Sequence, residues 1–154
     1  MRLFFYGTLL DRDIQALVLG RALGARDCVA AELRHFRRVY IAGRRTPMLL
    51  PHRGGSVAGT VAGRLSREDM ARLCRYEGAG YRLERHAVFP NDGDGRPGAT
   101  PVAAWLFRSR PTTRSSTRDW HLEPWQARDK AAYLREMGDW LANRPAGAVS
   151  DGSP

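Results

Sequence analysis

The sequence predicts one α+β domain, built on a small, strongly curved and mostly antiparallel β-barrel with flanking helices. Segments with strand character outnumber helical ones, and short turns join most neighbouring strands, which favours antiparallel pairing. The stretch SVAGTVAGRL at residues 56–65 places two glycines on one face of a strand, and such glycines mark sharp curvature or close backbone approach. The length of 154 residues suits a single domain. We expect that domain over residues 1–143 and a frayed, polar tail over residues 144–154.

The strand segments are rich in aromatic and branched apolar residues and are bounded by turn residues. They cover residues 2–6, 29–41, 46–50, 56–65, 81–89 and 102–107. The second segment is long enough for one or two strands. The run NDGDGRPG at residues 91–98 is a turn by composition, and residues 109–119 predict a polar loop.

The first two helices are predicted from apolar spacing and from their end signals. The first follows Asp11 and stops at Gly20, because glycine tolerates the conformation that ends many helices. The second begins after Ser66, which with Asp69 forms a near capping box. Gly78 ends this second helix in the same way.

The last helix is predicted to begin at Pro124, because proline is favoured at the first helical position. Its apolar stripe consists of Tyr133, Met137, Trp140 and Leu141, at the spacing of one helix face. We expect the tryptophans to be core and helix-packing residues; they are Trp105, Trp120, Trp125 and Trp140.

The net charge of +9 raises the question of a nucleic-acid partner. The basic residues are scattered along the whole chain, and all but Lys130 are arginine. This distribution predicts a solvated surface and a compositional bias rather than a dedicated polyanion site. We therefore expect no nucleic-acid partner.

The remaining composition narrows the class of protein. Cys28 and Cys74 stand outside any CxxC pair and predict reduced, buried thiols. The histidines share no ligand spacing, so neither a metal nor another cofactor is expected; they are His35, His52, His86 and His121. No apolar run approaches a membrane span, and the N-terminus enters a strand without a cleavage-site pattern, so a cytoplasmic protein without a membrane partner is expected.

One residue of the second helix breaks its pattern. Met70, Leu73 and Cys74 form an apolar stripe, and the next position on that face is Glu77. Burial and the negative end of the helix dipole both penalise a charged carboxylate, so the pKa of Glu77 is expected to be raised. A carboxylate of that kind suits general acid–base catalysis near neutral pH. The alternative is that the helix frays and Glu77 turns to solvent.

Two motifs together identify a family. The stretch FFYGTLL at residues 4–10 breaks a strand at a glycine turn, and about seventy residues later the chain reads LxxYEGxxY over residues 73–81. This pair of motifs resembles the gamma-glutamyl cyclotransferase-like family, over residues 4–107. The usual serine of the first motif is replaced by Thr8, a familiar variant.

The resemblance implies an antiparallel barrel-like sheet with flanking helices, and it implies roles for five residues. Glu77 matches the family's catalytic glutamate, and the substrate-binding loop is matched by Tyr6, Gly7, Thr8 and Leu9. Tyr81 is assigned to the binding site, with a core role as its alternative.

The implied activity is cyclisation of the glutamyl part of a gamma-glutamyl amide to 5-oxoproline, with release of an amine. The reaction needs no protein nucleophile, because the substrate's own α-amine attacks. The partner is then a small molecule whose leaving amine stays open: cysteinyl-glycine, another amino acid, a lysine side chain or a biosynthetic intermediate. The alternative function is a non-catalytic protein of the same fold that binds a small amino-acid derivative. The oligomeric state is not predicted.

Overall fold

The computed structural model describes the backbone of residues 1–142 and the side chains of residues 1–138. The predicted tail, and the side chains of Trp140 and Leu141, lie outside the described residues. Single 3₁₀ turns cover Thr8–Leu10 and Gly78–Gly80. The strands and longer helices are β1 (Leu3–Phe5), α1 (Arg12–Leu19), β2 (Cys28–Ile41), β3 (Pro47–Ala62), α2 (Arg67–Glu77), β4 (Tyr81–Pro90), β5 (Val102–Ser109), β6 (Ser115–Asp119), α3 (Leu122–Arg128) and α4 (Lys130–Ala142).

Five strands close into a small barrel. Their order is β3-β1-β5-β4-β2, and β2 pairs back onto β3 to complete the circle. All these pairings are antiparallel except that of β1 with β5, which meets at Leu3 and Trp105. The predicted small, mostly antiparallel barrel with flanking helices is therefore confirmed.

The β2–β3 hairpin is the longest pairing of the barrel, running from Cys28 opposite Ala62 to Tyr40 opposite Pro47. The prediction of two separate strands over residues 46–50 and 56–65 is wrong, because β3 is one strand of 16 residues. A bulge replaces the expected break: His35, at a φ of 66°, lies opposite residues 52–55. Bulges absorb extra residues and bend a strand without ending its pairing.

Gly59 shows why the curved strand needs glycine. A Cβ at this position would lie 2.3 Å from the carbonyl oxygen of Phe5 and 2.4 Å from Cζ of Phe4. The predicted close approach is thus confirmed for Gly59, whereas a Cβ at Gly63 would meet only the carbonyl oxygen of Asp27, at 4.0 Å. The close contact between the paired strands β1 and β3 therefore lies directly before Tyr6.

Two C-terminal predictions are wrong. The predicted polar loop contains β6, which pairs with β2 through Asp119 opposite Val39 and Ser115 opposite Ile41. Most β6 side chains are exposed, so the sequence has no apolar alternation that would predict this strand. The last helix begins at Leu122 and is divided into α3 and α4. Pro124 lies in the first turn of α3, where its missing N–H costs no helical hydrogen bond.

The buried face of α2 differs from the predicted apolar stripe. Asp69 and Leu73 are buried, whereas Cys74 is exposed and Cys28 is only half-buried. The prediction of two buried thiols is therefore wrong. Asp69 takes the inward position because Arg21 pairs with both of its oxygens, at 2.6 and 2.9 Å.

The tryptophans are divided between core and surface. Trp120 and Trp125 are fully buried, as predicted, but Trp105 is 37 % exposed on the outside of the barrel.

No helix in the described part of the chain is long and apolar enough to cross a membrane.

Candidate active site

A cavity of about 170 Å³ lies between the end of β1, the β2–β3 turn and the C-terminal end of α2. All six residues predicted for the site line this one cavity: Tyr6, Gly7, Thr8, Leu9, Glu77 and Tyr81. The chain therefore brings together two motifs that are about seventy residues apart. The other lining residues are Phe4, Phe5, Arg44, Thr46, Pro47, Tyr76, Phe107 and Tyr133.

Glu77 is the last residue of α2 and lies at the wall of the cavity. The helix is closed just behind it, where the N–H of Gly78 donates to the carbonyl oxygen of Cys74 and Gly78 adopts a φ of 67°. Burial raises the pKa of Glu77 to about 8. Glu77 nevertheless keeps intermediate exposure, so a carboxyl group surrounded by protein still reaches the cavity. No ion pair from the described residues neutralises it.

The Tyr6–Leu9 loop forms another part of the cavity wall. It closes as a 3₁₀ turn in which Leu10 N donates to Gly7 O at 2.9 Å and Asp11 N donates to Thr8 O at 3.0 Å. The N–H groups of Gly7, Thr8 and Leu9 have no protein acceptor within the described residues. Consecutive unpaired amides of a turn form a concave donor set that suits an anionic oxygen.

Gly7 is required by packing rather than by its backbone conformation. Its φ is −123°, which other residues also adopt. A Cβ on Gly7 would lie 2.9 Å from Cγ of Pro47 at the start of β3. The glycine therefore lets the loop lie directly against the hairpin.

Arg38 holds this loop from the barrel side and was not predicted as a site residue. Its Nη1 donates to the carbonyl oxygen of Tyr6 at 2.7 Å, and its Nε donates to that of Trp120 at 2.9 Å. Burial lowers the pKa of Arg38 to about 10, still well above neutral. Tyr6 is fixed at its other end as well, because its hydroxyl donates to Phe107 O at 2.5 Å. In a chain so rich in arginine, no sequence signal marks Arg38.

A chain of three hydroxyl groups joins the loop to two helices. The Tyr76 hydroxyl lies 2.7 Å from Thr8 Oγ1 and 2.6 Å from the hydroxyl of Tyr133 on α4. Tyr76 and Tyr133 were not predicted as site residues. The signal for Tyr76 was present, since it directly precedes Glu77 in the motif, but the spacing of Tyr133 indicated only a helix face.

The tyrosines around Glu77 stay protonated near neutral pH. Burial, and then the charge of Glu77, raise the pKa of Tyr81 to about 12. Burial is also the largest cause of the raised pKa values of Tyr6, Tyr76 and Tyr133, and Glu77 contributes to each. These hydroxyl groups can therefore donate hydrogen bonds, while Glu77 supplies a group that exchanges a proton near neutral pH. Within residues 1–142, no group of three or more metal-ligating side chains comes together.

Comparison with known proteins assigns the chain to a family. The family model described as gamma-glutamyl cyclotransferase, AIG2-like, matches residues 3–141. The chain belongs to this family, and the resemblance predicted from the two motifs is confirmed. AIG2-like protein C of Arabidopsis thaliana is 26 % identical over 142 residues, covering 92 % of this chain and 78 % of the relative. AIG2-like protein D of the same plant is 25 % identical, covering 86 % and 83 %.

Solved structures share the fold. A solution structure from Arabidopsis thaliana superposes with a TM-score of 0.60 at 20 % identity, covering 99 % of this chain and 94 % of that one. A structure named gamma-glutamyl cyclotransferase gives a TM-score of 0.52 at 11 % identity, covering 100 % and 93 %. At these identities the likeness establishes the cyclotransferase fold and not the substrate.

Proposed function

We propose that the protein is a gamma-glutamyl cyclotransferase, which converts the glutamyl part of a gamma-glutamyl amide to 5-oxoproline and releases an amine. The observation that carries this proposal is the position of Glu77. A carboxyl group whose pKa burial raises to about 8 lies in the same cavity as the Tyr6–Leu9 loop. Family membership supports the reaction class, and the chemistry of the cavity supports the roles given below.

Glu77 moves one proton in this mechanism. The neutral α-amine of the substrate attacks its own side-chain carbonyl carbon, and the Glu77 carboxylate accepts a proton from that nitrogen as the new bond forms. The resulting acid returns the proton to the leaving nitrogen as the amide bond breaks. The products are the five-membered lactam and a neutral amine, and Glu77 ends as a carboxylate. A pKa near neutrality suits both halves of this exchange.

The Tyr6–Leu9 loop holds the anionic oxygens of the glutamyl part. The unpaired amides of Gly7, Thr8 and Leu9 are donors for the α-carboxylate or for the carbonyl oxygen as it gains charge. Preorganised donors of this kind stabilise a transition state because they need no reorganisation. Arg38 and the Tyr6 hydroxyl fix the loop through their hydrogen bonds.

The size of the cavity favours a short acyl group. Pockets for drug-sized ligands measure about 300 to 1,000 Å³, whereas this cavity holds about 170 Å³. The glutamyl part fills the cavity and is bent there toward its attack geometry. Positioning of this kind supplies several kcal/mol of the barrier reduction.

The test is to incubate the protein with a panel of gamma-glutamyl amides and to measure 5-oxoproline by mass spectrometry. We expect turnover by the natural protein and loss of at least about 100-fold in kcat for Glu77→Gln, the range of general acid–base catalysis. Glu68→Gln is the matched control, because Glu68 is an exposed carboxylate on the same helix, paired with Arg72. Glu68→Gln is expected to keep full activity.

Two outcomes contradict the proposal. Full activity of Glu77→Gln would show that another group moves the proton. Binding of gamma-glutamyl compounds without turnover of any of them would instead support the alternative of a non-catalytic binding protein.

A further inference from the structure

Arg44 is the one cavity-lining residue of opposite charge to Glu77 among the described residues. It is exposed and lies in the turn between β2 and β3. Its guanidinium forms no ion pair within the described residues. A cation in the wall of a ligand cavity, without a protein partner, is available to an anion on the ligand.

The turn that carries Arg44 is held on both sides. Ile41 N donates to Thr46 O at 2.9 Å and closes the hairpin. The neighbouring Arg45 pairs with Glu136 of α4, and its carbonyl oxygen accepts from Trp120 Nε1 at 3.3 Å. The backbone of Arg44 is thus anchored to the barrel and to the last helix, while its side chain is left for a ligand.

Arg44 and Glu77 line the same cavity but differ in their exposure to solvent. Glu77 shares the cavity with four tyrosines, and its pKa is raised by burial without a compensating basic neighbour. Arg44 lies on the exposed side. If both reacting nitrogens of a substrate lie at Glu77 and its α-carboxylate lies on the loop amides, the substituent of the leaving amine is the part that remains free to reach Arg44.

We propose that Arg44 binds a carboxylate carried by the leaving amine and is thereby a specificity-determining residue of this site. This inference rests on the function proposed above and assigns a binding residue to the part of the substrate that leaves. An arginine binds a carboxylate through two parallel charge-assisted hydrogen bonds, which gives both affinity and orientation. An amide of a simple amine offers Arg44 no such acceptor.

The test uses a matched pair of substrates, gamma-glutamylalanine and gamma-glutamylalaninamide, which differ only in a carboxylate replaced by a carboxamide. We expect the natural protein to prefer the acid by roughly tenfold in kcat/KM, mostly through KM, as for a hydrogen bond to a charged group. Arg44→Gln should bring the ratio close to one, and Arg44→Lys should keep part of the preference. Arg85→Gln is the control, because it removes one exposed positive charge outside this cavity.

Dissociation constants for the same pair, measured with Glu77→Gln and with Glu77→Gln/Arg44→Gln, test Arg44 without turnover. The inference is supported if Glu77→Gln binds the acid more tightly than the amide and if adding Arg44→Gln removes that preference. This holds even if the natural protein converts neither substrate, and in that case only the proposed function is wrong. Turnover of both substrates with equal kcat/KM overturns the inference and leaves the function standing. An equal loss of affinity for acid and amide in Arg44→Gln also overturns it, since Arg44 would then bind the α-carboxylate.

Discussion

The hydroxyl groups of Thr8 and Tyr76 lie 2.7 Å apart, and this contact joins the two motifs of the site. Thr8 belongs to the loop that leaves β1, and Tyr76 directly precedes Glu77 at the end of α2. The Tyr76 hydroxyl also contacts that of Tyr133 on α4, at 2.6 Å. Both walls of the cavity are therefore connected to the last helix.

The Thr8–Tyr76 contact predicts an energetic coupling between the two residues. Tyr76→Phe removes the hydroxyl that the Thr8 and Tyr133 hydroxyls both contact and is expected to lower the free energy of unfolding by about 1 to 3 kcal/mol. Thr8→Val combined with Tyr76→Phe should cost less than the sum of the single changes, with a coupling of about 1 kcal/mol. Denaturant unfolding of the four proteins measures it. Tyr133→Phe serves as the comparison, because it keeps the Thr8 contact, and purely additive losses would contradict the prediction.

The pKa of Glu77 predicts the acidic limb of the activity profile. The free enzyme needs Glu77 as a carboxylate, so kcat/KM is expected to rise with pH and to level off above a pKa of about 8. The substrate must also present a neutral α-amine, whose own pKa lies at about 8, so the acidic limb of kcat/KM should reflect two protonations, one on Glu77 and one on the substrate. Steady-state kinetics between pH 5 and pH 10 give both values. A limb in kcat/KM near the usual carboxyl range would refute the assignment.

The same pKa predicts how stability depends on pH. A folded-state pKa of about 8, above the usual 4.5, means that the folded protein holds a proton which the unfolded chain releases. Stability is therefore lost as pH rises from the lower value to the higher one. Glu77→Gln lacks this loss, so its free energy of unfolding at pH 9 should exceed that of the natural protein. The expected difference is on the order of 2 kcal/mol, less than the full pKa shift would give, because Glu77 is partly exposed. Unfolding at pH 5 and pH 9 tests this, and an equal difference at both pH values would count against it.

The contact between Gly7 and Pro47 predicts that a larger residue at position 7 is harmful and that a smaller residue at position 47 compensates for it. Gly7→Ala would place a Cβ 2.9 Å from Cγ of Pro47, which pushes the loop away from the hairpin. We expect a rise in KM and a loss of about 1 to 3 kcal/mol in stability, as for other overpacked sites. Shortening the partner in Gly7→Ala/Pro47→Ala should recover part of both losses. A double variant no better than Gly7→Ala would place the cause elsewhere.

The barrel and its helices followed from local patterns in the sequence. Apolar segments predicted most strands, and Gly59 predicted the close contact between the paired strands β1 and β3. Ser66 and Gly78 set the ends of α2 correctly, because capping is decided by neighbouring residues. The bulge at His35 and the strand β6 were missed, since each depends on what a distant segment offers as a pairing partner.

The sequence by itself determined which residues could make the site: a glycine turn after a strand, and a glutamate where a helix face should be apolar. Only the tertiary structure decided that Glu77 and the Tyr6–Leu9 loop share one cavity, that Tyr76 and Tyr133 join its walls, and that Arg44 lines it. The physical reason is that spacing along a chain specifies local conformation and face. The distance between segments, and the burial that raises the pKa of Glu77, arise only when the barrel closes.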